Sequence, residues 1–275
     1  MFRNITLGQY YPIDSVIHRL DPRVKLLGVV VYITALFIIN NIWGFVFLAG
    51  TLAALIGLSH IPLKYMIRGL RGILILIILA VVFNLFSGNG PVIWQWWILR
   101  LTADGFLRSG FFALRLVCVV FGTGLLTYTT TPTTLTNGLE KVFTPLKAIH
   151  FPAHEIAMMM SIALRFIPIL AEEVSKITNA QLARGADFET GGIIKKAKGM
   201  IPILIPLFVS AFKRAADLAT AMEARCYHGG EGRTKMYPLQ YERRDIIAYI
   251  LILLFLLMTI GLRIWMDHSL LSGRI

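Results

Sequence analysis

Two arginines sit in matching settings forty-one residues apart. Ala180-Gln181-Leu182-Ala183-Arg184-Gly185 can be laid over Ala221-Met222-Glu223-Ala224-Arg225-Cys226, so each Ala-Arg pair closes a helix-forming stretch ahead of a glycine-containing turn. Gly185 is placed to take the left-handed conformation that ends a helix. Cys226 stands where the second copy would have glycine, so Gly229 or Gly230 must serve there. A guanidinium is always charged and presents five donors in a rigid fork, so Arg184 and Arg225 can hold the carboxylates or carbonyls of a partner in fixed orientation. Arginine at a helix C-terminus also complements the macrodipole, worth ~0.3 to 1 kcal/mol. The duplication favours partner binding over that plainer role.

Other chemistry is hard to build from this chain. No G-x-x-x-x-G-K-[ST] occurs, and Gly229-Gly230-Glu231-Gly232-Arg233-Thr234-Lys235 has the wrong spacing to cradle phosphate. If ATP is used, another chain hydrolyses it. His150, His154 and Glu155 could suggest a metal, but Pro152 breaks the helix that an i, i+4 pair requires, and no metal site is expected. Cys118 and Cys226 have neither CxxC nor paired spacing, so no disulfide framework or zinc site is implied. Arg108 and Arg115, one heptad apart, fall in an apolar run, where a charge is a functional candidate. Snorkelling of their long stems to headgroups is the plainer explanation, and no role is assigned to them.

The elements that would position the paired arginines belong to a membrane protein. Of 275 residues, 56% are apolar and 15% charged, against about 25% charged in an ordinary soluble domain. The mean hydropathy is +0.70. The net charge of +12 could point to nucleic acid, but Lys and Arg lie beside long apolar runs and form no single basic face. Residues 1–24 lack a signal-peptide pattern, so the N-terminus is expected to be retained.

Spanning ~30 Å of hydrocarbon takes about 20 residues as helix, because lipid offers backbone groups no partner. Five segments approach that length: Val24 to Ile39, Trp43 to Leu58, Leu70 to Phe86, Phe106 to Tyr128 and Ile246 to Leu262. Positive charge lies in the N-terminal arm (Arg3, Arg19, Arg23, Lys25), between spans two and three (Lys64, Arg68, Arg71) and, fifteen residues strong, between Thr129 and Asp245. The opposite loops, around Asn40-Asn41 and from Ser87 to Gly105, carry Arg100 alone, and the tail carries Arg263 and Arg274. The positive-inside rule therefore puts the N-terminus in the cytoplasm and the C-terminus outside. Trp94, Trp96 and Trp97 suit an outer aromatic belt.

The expected architecture is an all-α integral membrane protein with about five transmembrane helices and a cytoplasmic region of long amphipathic helices. It divides into 1–128 (arm and helices one to four), 129–245 (cytoplasmic region) and 246–275 (last helix and outer tail). Within 129–245, Ile156 to Leu170 and Ile201 to Phe212 are apolar, but short and interrupted by Pro168, Pro202 and Pro206. Neither is expected to cross lipid alone, and a seven-span arrangement is the alternative. Ile156, Met160, Ala163, Ile167, Leu170, Val174 and Ile177 form one apolar stripe at helical spacing. Phe208, Ala211, Phe212, Ala215, Ala219 and Met222 form another. Part of each stripe packs as ordinary core. The Met158-Met159-Met160 cluster and the stripes' length exceed what one helix pair needs, and Met-rich faces suit a partner that must be re-packed.

Taken together, Ile17-His18-Arg19-Leu20-Asp21-Pro22-Arg23-Val24-Lys25-Leu26, the five spans and the two helices ending at Ala183-Arg184-Gly185 and Ala224-Arg225 resemble the transmembrane T component of energy-coupling factor transporters, over essentially the whole chain. Cys226 departs from the family's usual Ala-Arg-Gly in the second copy. The resemblance implies a non-catalytic subunit of an ABC-type importer for vitamins and other micronutrients, in the bacterial cytoplasmic membrane. It implies two cytoplasmic ATPases docked on Ala183, Arg184, Gly185, Ala224 and Arg225. It also implies a small membrane S component, which captures substrate, against Ile156, Met159, Met160, Ala163, Ile167, Phe208 and Phe212. Cofactors are expected only in the partners, as ATP-Mg; the chain itself would contact lipid, its partners and no nucleic acid.

Three rival functions fit less well. A secondary carrier normally buries ionisable residues in its spans, and the first three spans have none beyond their cytoplasmic ends. An enzyme needs converging acids, bases or ligands. The permease of a conventional ABC importer needs only one short coupling element, and two long ones are present here.

Overall fold

Asp21 and Pro22 start the first helix. The Asp21 carboxylate accepts the Arg23 N–H at 2.8 Å, and Pro22 supplies a first-turn residue with no N–H to satisfy. The computed structural model describes residues 9–39, 41–86, 92–96, 99–145, 151–186, 192–229 and 239–272. Its elements are α1 (Pro22–Ile38), α2 (Ile42–Ser59), α3 (Leu63–Arg71), α4 (Leu74–Phe86), β1 (Val92–Trp96), β2 (Leu99–Thr102), α5 (Ala103–Thr129), α6 (Pro132–Phe143), α7 (Ala153–Ala183), α8 (Ile193–Ala224) and α9 (Arg243–Ser272). The chain is thus a helical membrane protein, with one local exception among the described residues. The loop expected to carry an aromatic belt contains an antiparallel hairpin, with Trp94 opposite Leu101 and Trp96 opposite Leu99. Trp97 lies outside the described residues.

The described residues form two compact units, one within 9–138 and 239–272, the other within 139–229. In the first, α5 packs on α1, α2, α3 and α4, and α9 packs on α1 and α2. Its core is built from Tyr32, Ala35, Leu36, Phe45, Leu48, Leu52 and Cys118. A second cluster joins Ile17, Ile61, Met66, Leu125 and Tyr128. Gly122 lets α5 approach α1, since a Cβ there would lie 2.9 Å from the Tyr32 ring. The outer faces expose Val30, Phe37, Val46, Ile75, Phe83 and Leu257, as surfaces solvated by lipid do. The second unit contains α7 and α8, which pack on each other.

Among the described residues five helices are long and apolar enough to cross a membrane, α2, α5, α7, α8 and α9, and the bent pair α3–α4 makes a sixth if it is counted as one span. These are not the same five that the sequence suggests. With 17 residues, α1 reaches only ~25 Å at 1.5 Å per residue. The third expected span, Leu70 to Phe86, is broken: the chain turns by 65° between α3 and α4. The apolar runs around Ile156 and Ile201 are not short pieces but parts of continuous helices of 31 and 32 residues.

The prolines in α8 are tolerated in part because the second helix repairs the damage. Proline cannot donate to the carbonyl four residues back, so Pro206 leaves the Pro202 carbonyl open. The Gln181 side-chain amide donates to that oxygen at 3.4 Å.

Candidate functional site

The paired arginines close α7 and α8 in the same way. After Arg184, the Gly185 N–H donates to the Leu182 carbonyl at 2.9 Å and the Ala186 N–H to that of Gln181 at 3.0 Å. After Arg225, the Cys226 N–H donates to the Glu223 carbonyl at 2.9 Å and the Tyr227 N–H to that of Met222 at 3.1 Å. Both are Schellman closures with arginine at the cap. Gly185 has φ +83 and Cys226 φ +55. This corrects the expectation that Gly229 or Gly230 must replace the missing glycine. Cys226 takes the left-handed conformation itself, because the closure places it directly after the cap; an L side chain there costs roughly 1–2 kcal/mol. Gly229 is left-handed too, but further on.

Both arginines are exposed, and neither side chain has an ion-pair or hydrogen-bond partner among the described residues. Ala183 and Ala224, the last helical residues, are exposed beside them, as is Gly185. The helices run antiparallel: Arg214 of α8 bonds Glu173 of α7 at 2.8 Å, and Ile162 and Phe166 share a groove with Leu218 and Met222. Arg184 therefore lies at one end of the pair and Arg225 at the other. Extrapolating these pairings puts Arg225 beside the early turns of α7, ~35 Å along the pair from Arg184 at 1.5 Å per residue.

The apolar stripes divide between two jobs. Leu170 faces Ala211, Ala215, Ala219 and Met222 across the groove between the helices. Met159, Met160, Ala163 and Ile167 on α7 and Phe208 and Phe212 on α8 are exposed, Phe212 to 73% and Met159 to 57%. Ile156, in the first turn of α7, is half-buried. The residues predicted to meet a membrane partner are thus, Ile156 apart, among those that the helix pair leaves uncovered, as are Leu204, Ile205 and Val209.

A polar knot in the first unit escapes sequence reasoning. Asp245, 3% exposed, accepts the Asp21 N–H at 2.8 Å through one carboxylate oxygen and the Glu242 N–H at 2.9 Å through the other. One side chain thus ties the cap of α1 to the start of α9. The Arg23 guanidinium lies 3.6 Å from the Asp21 carboxylate, donates to the Leu239 carbonyl and covers the Tyr241 ring. The Lys25 ammonium donates to the His18 and Thr129 carbonyls at 3.0 and 2.9 Å, joining α1 to the end of α5. The Leu-Asp-Pro-Arg-x-Lys run is visible in the sequence. Its partner Asp245 is signalled only by an acid three residues after Glu242 at the head of an apolar run, the spacing of a capping box.

His18 lies beside this knot, with its ring against the Ser15 hydroxyl and the Tyr11 carbonyl. Burial, and then the Lys25 charge, hold its imidazole below the usual range.

Arg115 also receives a place. Its guanidinium donates to the Ile39 carbonyl at 2.9 Å and lies over the Phe37 and Phe45 rings, so it caps the end of α1 instead of snorkelling free. Arg108 is exposed. His154 bonds Glu140 at 3.0 Å, and among the described residues no three potential ligands converge on a metal position. His150 lies outside the described residues.

Comparison with known proteins gives the context for these features. The family described as CbiQ, cobalt transport protein, matches residues 14–236. An energy-coupling factor transporter transmembrane protein EcfT of Clostridium kluyveri is 48% identical over 267 residues, covering 96% of this chain and 99% of that protein. The protein of the same name from Lactococcus lactis is 43% identical over 268 residues, covering 97% and 100%. That of Bacillus subtilis is 41% identical over 260 residues, covering 94% and 98%. Matches of this extent to proteins of one name, together with the multi-pass helical fold, show that the chain belongs to the CbiQ family as the transmembrane component of an energy-coupling factor transporter.

Proposed function

We propose that this chain couples two cytoplasmic ATPases to a small membrane S component, so that ATP-driven movement of the first reorients the second during uptake of a vitamin or other micronutrient. One observation carries this reading: two matching helix closures present exposed arginines, without partners among the described residues, at opposite ends of one antiparallel pair. Two points ~35 Å apart suit two separate partners. A guanidinium fork suits a contact that must keep its orientation while force passes through it. The uncovered faces around Met159, Met160, Ile167, Phe208 and Phe212 suit an apolar membrane partner. Hydrolysis of ATP-Mg belongs to the ATPases, and this chain is a non-catalytic subunit. The family's description names cobalt, so a metal ion joins vitamins among the micronutrients to test.

In this reading α1 is the first of five spans, its flanking residues completing the crossing, and α7 and α8 lie on the cytoplasmic side although long enough to cross, so that the N-terminus is cytoplasmic and the C-terminus outside. The three divisions 1–128, 129–245 and 246–275 carry spans, coupling region and last span. Labelling introduced cysteines with an impermeant reagent tests the orientation: Asn40→Cys should react in intact cells and Lys195→Cys only after the membrane is permeabilised.

The coupling role is tested by Arg184→Ala, Arg225→Ala and the double substitution at matched membrane expression. Removing one partner of a buried, hydrogen-bonded charge pair costs ~2 to 5 kcal/mol, so each single substitution weakens ATPase co-purification and the double largely abolishes it. Lysine restores the charge without the fork and rescues poorly. A double variant that assembles and transports at the parental level would reduce both arginines to helix-end counter-charges.

A further inference from the structure

The first unit holds a second apolar site, which neither the ATPase contacts nor the S-component faces use. A cavity of about 400 Å³ opens between α1, α2, α5 and α9, walled by residues such as Leu20, Val24, Leu55, Leu125, Leu251 and Phe255. This is within the ~300–1,000 Å³ of ordinary ligand pockets. Its ends differ. Lys25 and Arg244 line one end, while Tyr32 and Phe255 line the other. From Arg244 to Phe255 is eleven residues of α9, or ~16 Å at 1.5 Å per residue. Half the hydrocarbon core is ~15 Å. The candidate span of α9 runs Arg243–Trp265, so the cationic end lies at the edge of the membrane and the groove reaches its midplane.

From this match of depth, apolar lining and charge we infer that the groove binds an anionic phospholipid, with one acyl chain along α9 and its phosphate beside Arg244. In the orientation proposed above, this is an inner-leaflet lipid. Arg244 is exposed and, among the described residues, pairs only with the exposed Glu242, a solvated contact that leaves guanidinium donors for phosphate. Lys25 uses two of its three donors on the His18 and Thr129 carbonyls and adds positive charge at the mouth. Those carbonyls, and the Asp21 and Asp245 carboxylates, all belong to the polar knot, so the lipid sits against the part of the fold that fixes α1, α5 and α9 together.

The test uses the assembled transporter in nanodiscs of equal parts phosphatidylglycerol and phosphatidylcholine. Ala248→p-benzoylphenylalanine places a photoreactive ring in the groove; Leu251→p-benzoylphenylalanine reads the same groove if the first variant assembles poorly. Ile250→p-benzoylphenylalanine is the control on the exposed face of α9. After irradiation, mass spectrometry of the chain should show lipid adducts at the groove positions enriched about fivefold in phosphatidylglycerol over those at Ile250, the preference that one cationic side chain near the surface supplies. Arg244→Gln should return the ratio to that of the disc while leaving the acyl adducts. Adducts to a protein chain at Ala248 or Leu251 would show that a partner's helix fills the groove, and equal ratios at groove and control would show unselective lipid; either overturns the assignment. Because adduct mass is read whatever the leaflet, a wrong orientation would not be mistaken for a wrong site.

Discussion

Arg23 and Lys25 in the first unit and Arg184 and Arg225 in the second are cations of similar reach put to opposite uses. Arg23 and Lys25 are half-buried and lie against groups of their own unit, in Asp21, Leu239, His18 and Thr129. Arg184 and Arg225 have no such partners among the described residues, although each sits on a well-formed helix closure. A buried charge must be satisfied internally, and its loss is felt as stability. An exposed, unsatisfied guanidinium on a rigid helix end contributes little to the fold, and its loss is felt in assembly. The comparison separates two kinds of motif that look alike in the sequence, where both are short runs built around arginine.

The largest expected effect comes from breaking the internal side. Asp245→Ala leaves the buried N–H of Asp21 and the partly buried N–H of Glu242 without their acceptor, at about 2 to 4 kcal/mol. It should lower the membrane yield and melting temperature of the isolated chain, and Asp245→Asn, which keeps an acceptor oxygen, should recover part of the loss. Next, Arg184→Ala and Arg225→Ala should leave the melting temperature of the isolated chain unchanged while ATPase co-purification falls. Loss of both together would show that Arg184 and Arg225 hold the fold as Arg23 and Lys25 do.

A smaller effect sharpens the likeness between the two helix closures. Cys226→Gly relieves a left-handed L residue and should stabilise the end of α8 by roughly 0.5 to 1 kcal/mol, read as slower amide exchange over its last turn. Unchanged exchange would mean that the closure stores no strain at Cys226.

The smallest effect is a pH dependence at the knot. Because the His18 imidazole is held below its ordinary 6.5, the unfolded chain binds its proton more readily than the folded one. Its contribution is therefore complete above about pH 6.5 and lost as pH falls through the lowered folded value. The melting temperature should fall slightly more between pH 7.5 and 5.5 than it does for His18→Gln; parallel curves would place His18 outside the knot's electrostatics.

Periodicity and composition made much of this legible. The helices around Trp43, Phe106 and Ile246 follow from apolar length, and the two arginine ends follow from their local likeness. What the sequence hid depends on distant pairing. Asp245 meets Asp21 across 224 residues, and no local pattern announces that contact. The prolines of α7 and α8 read as interruptions because propensity treats each helix alone. Gln181, from the other helix, serves the carbonyl that Pro206 leaves open. The stripes were legible as apolar faces but not as divided ones, since period alone cannot say whether Leu170 or Ile167 meets the partner helix. The hairpin at Val92–Trp96 lies in a segment read as loop, where strand pairing adds a regularity that composition did not signal.

Arg115 bears on how the protein is made. A guanidinium placed at the centre of a lone helix opposes membrane insertion by ~2.5 to 3.5 kcal/mol. In the folded unit that charge lies against the Ile39 carbonyl and the rings of Phe37 and Phe45, all from α1, α2 and the turn between them. Those helices leave the ribosome before α5. The earlier hairpin can therefore act as a polar berth that receives the later helix as it enters the bilayer, so the order of synthesis itself becomes part of what makes α5 a transmembrane segment.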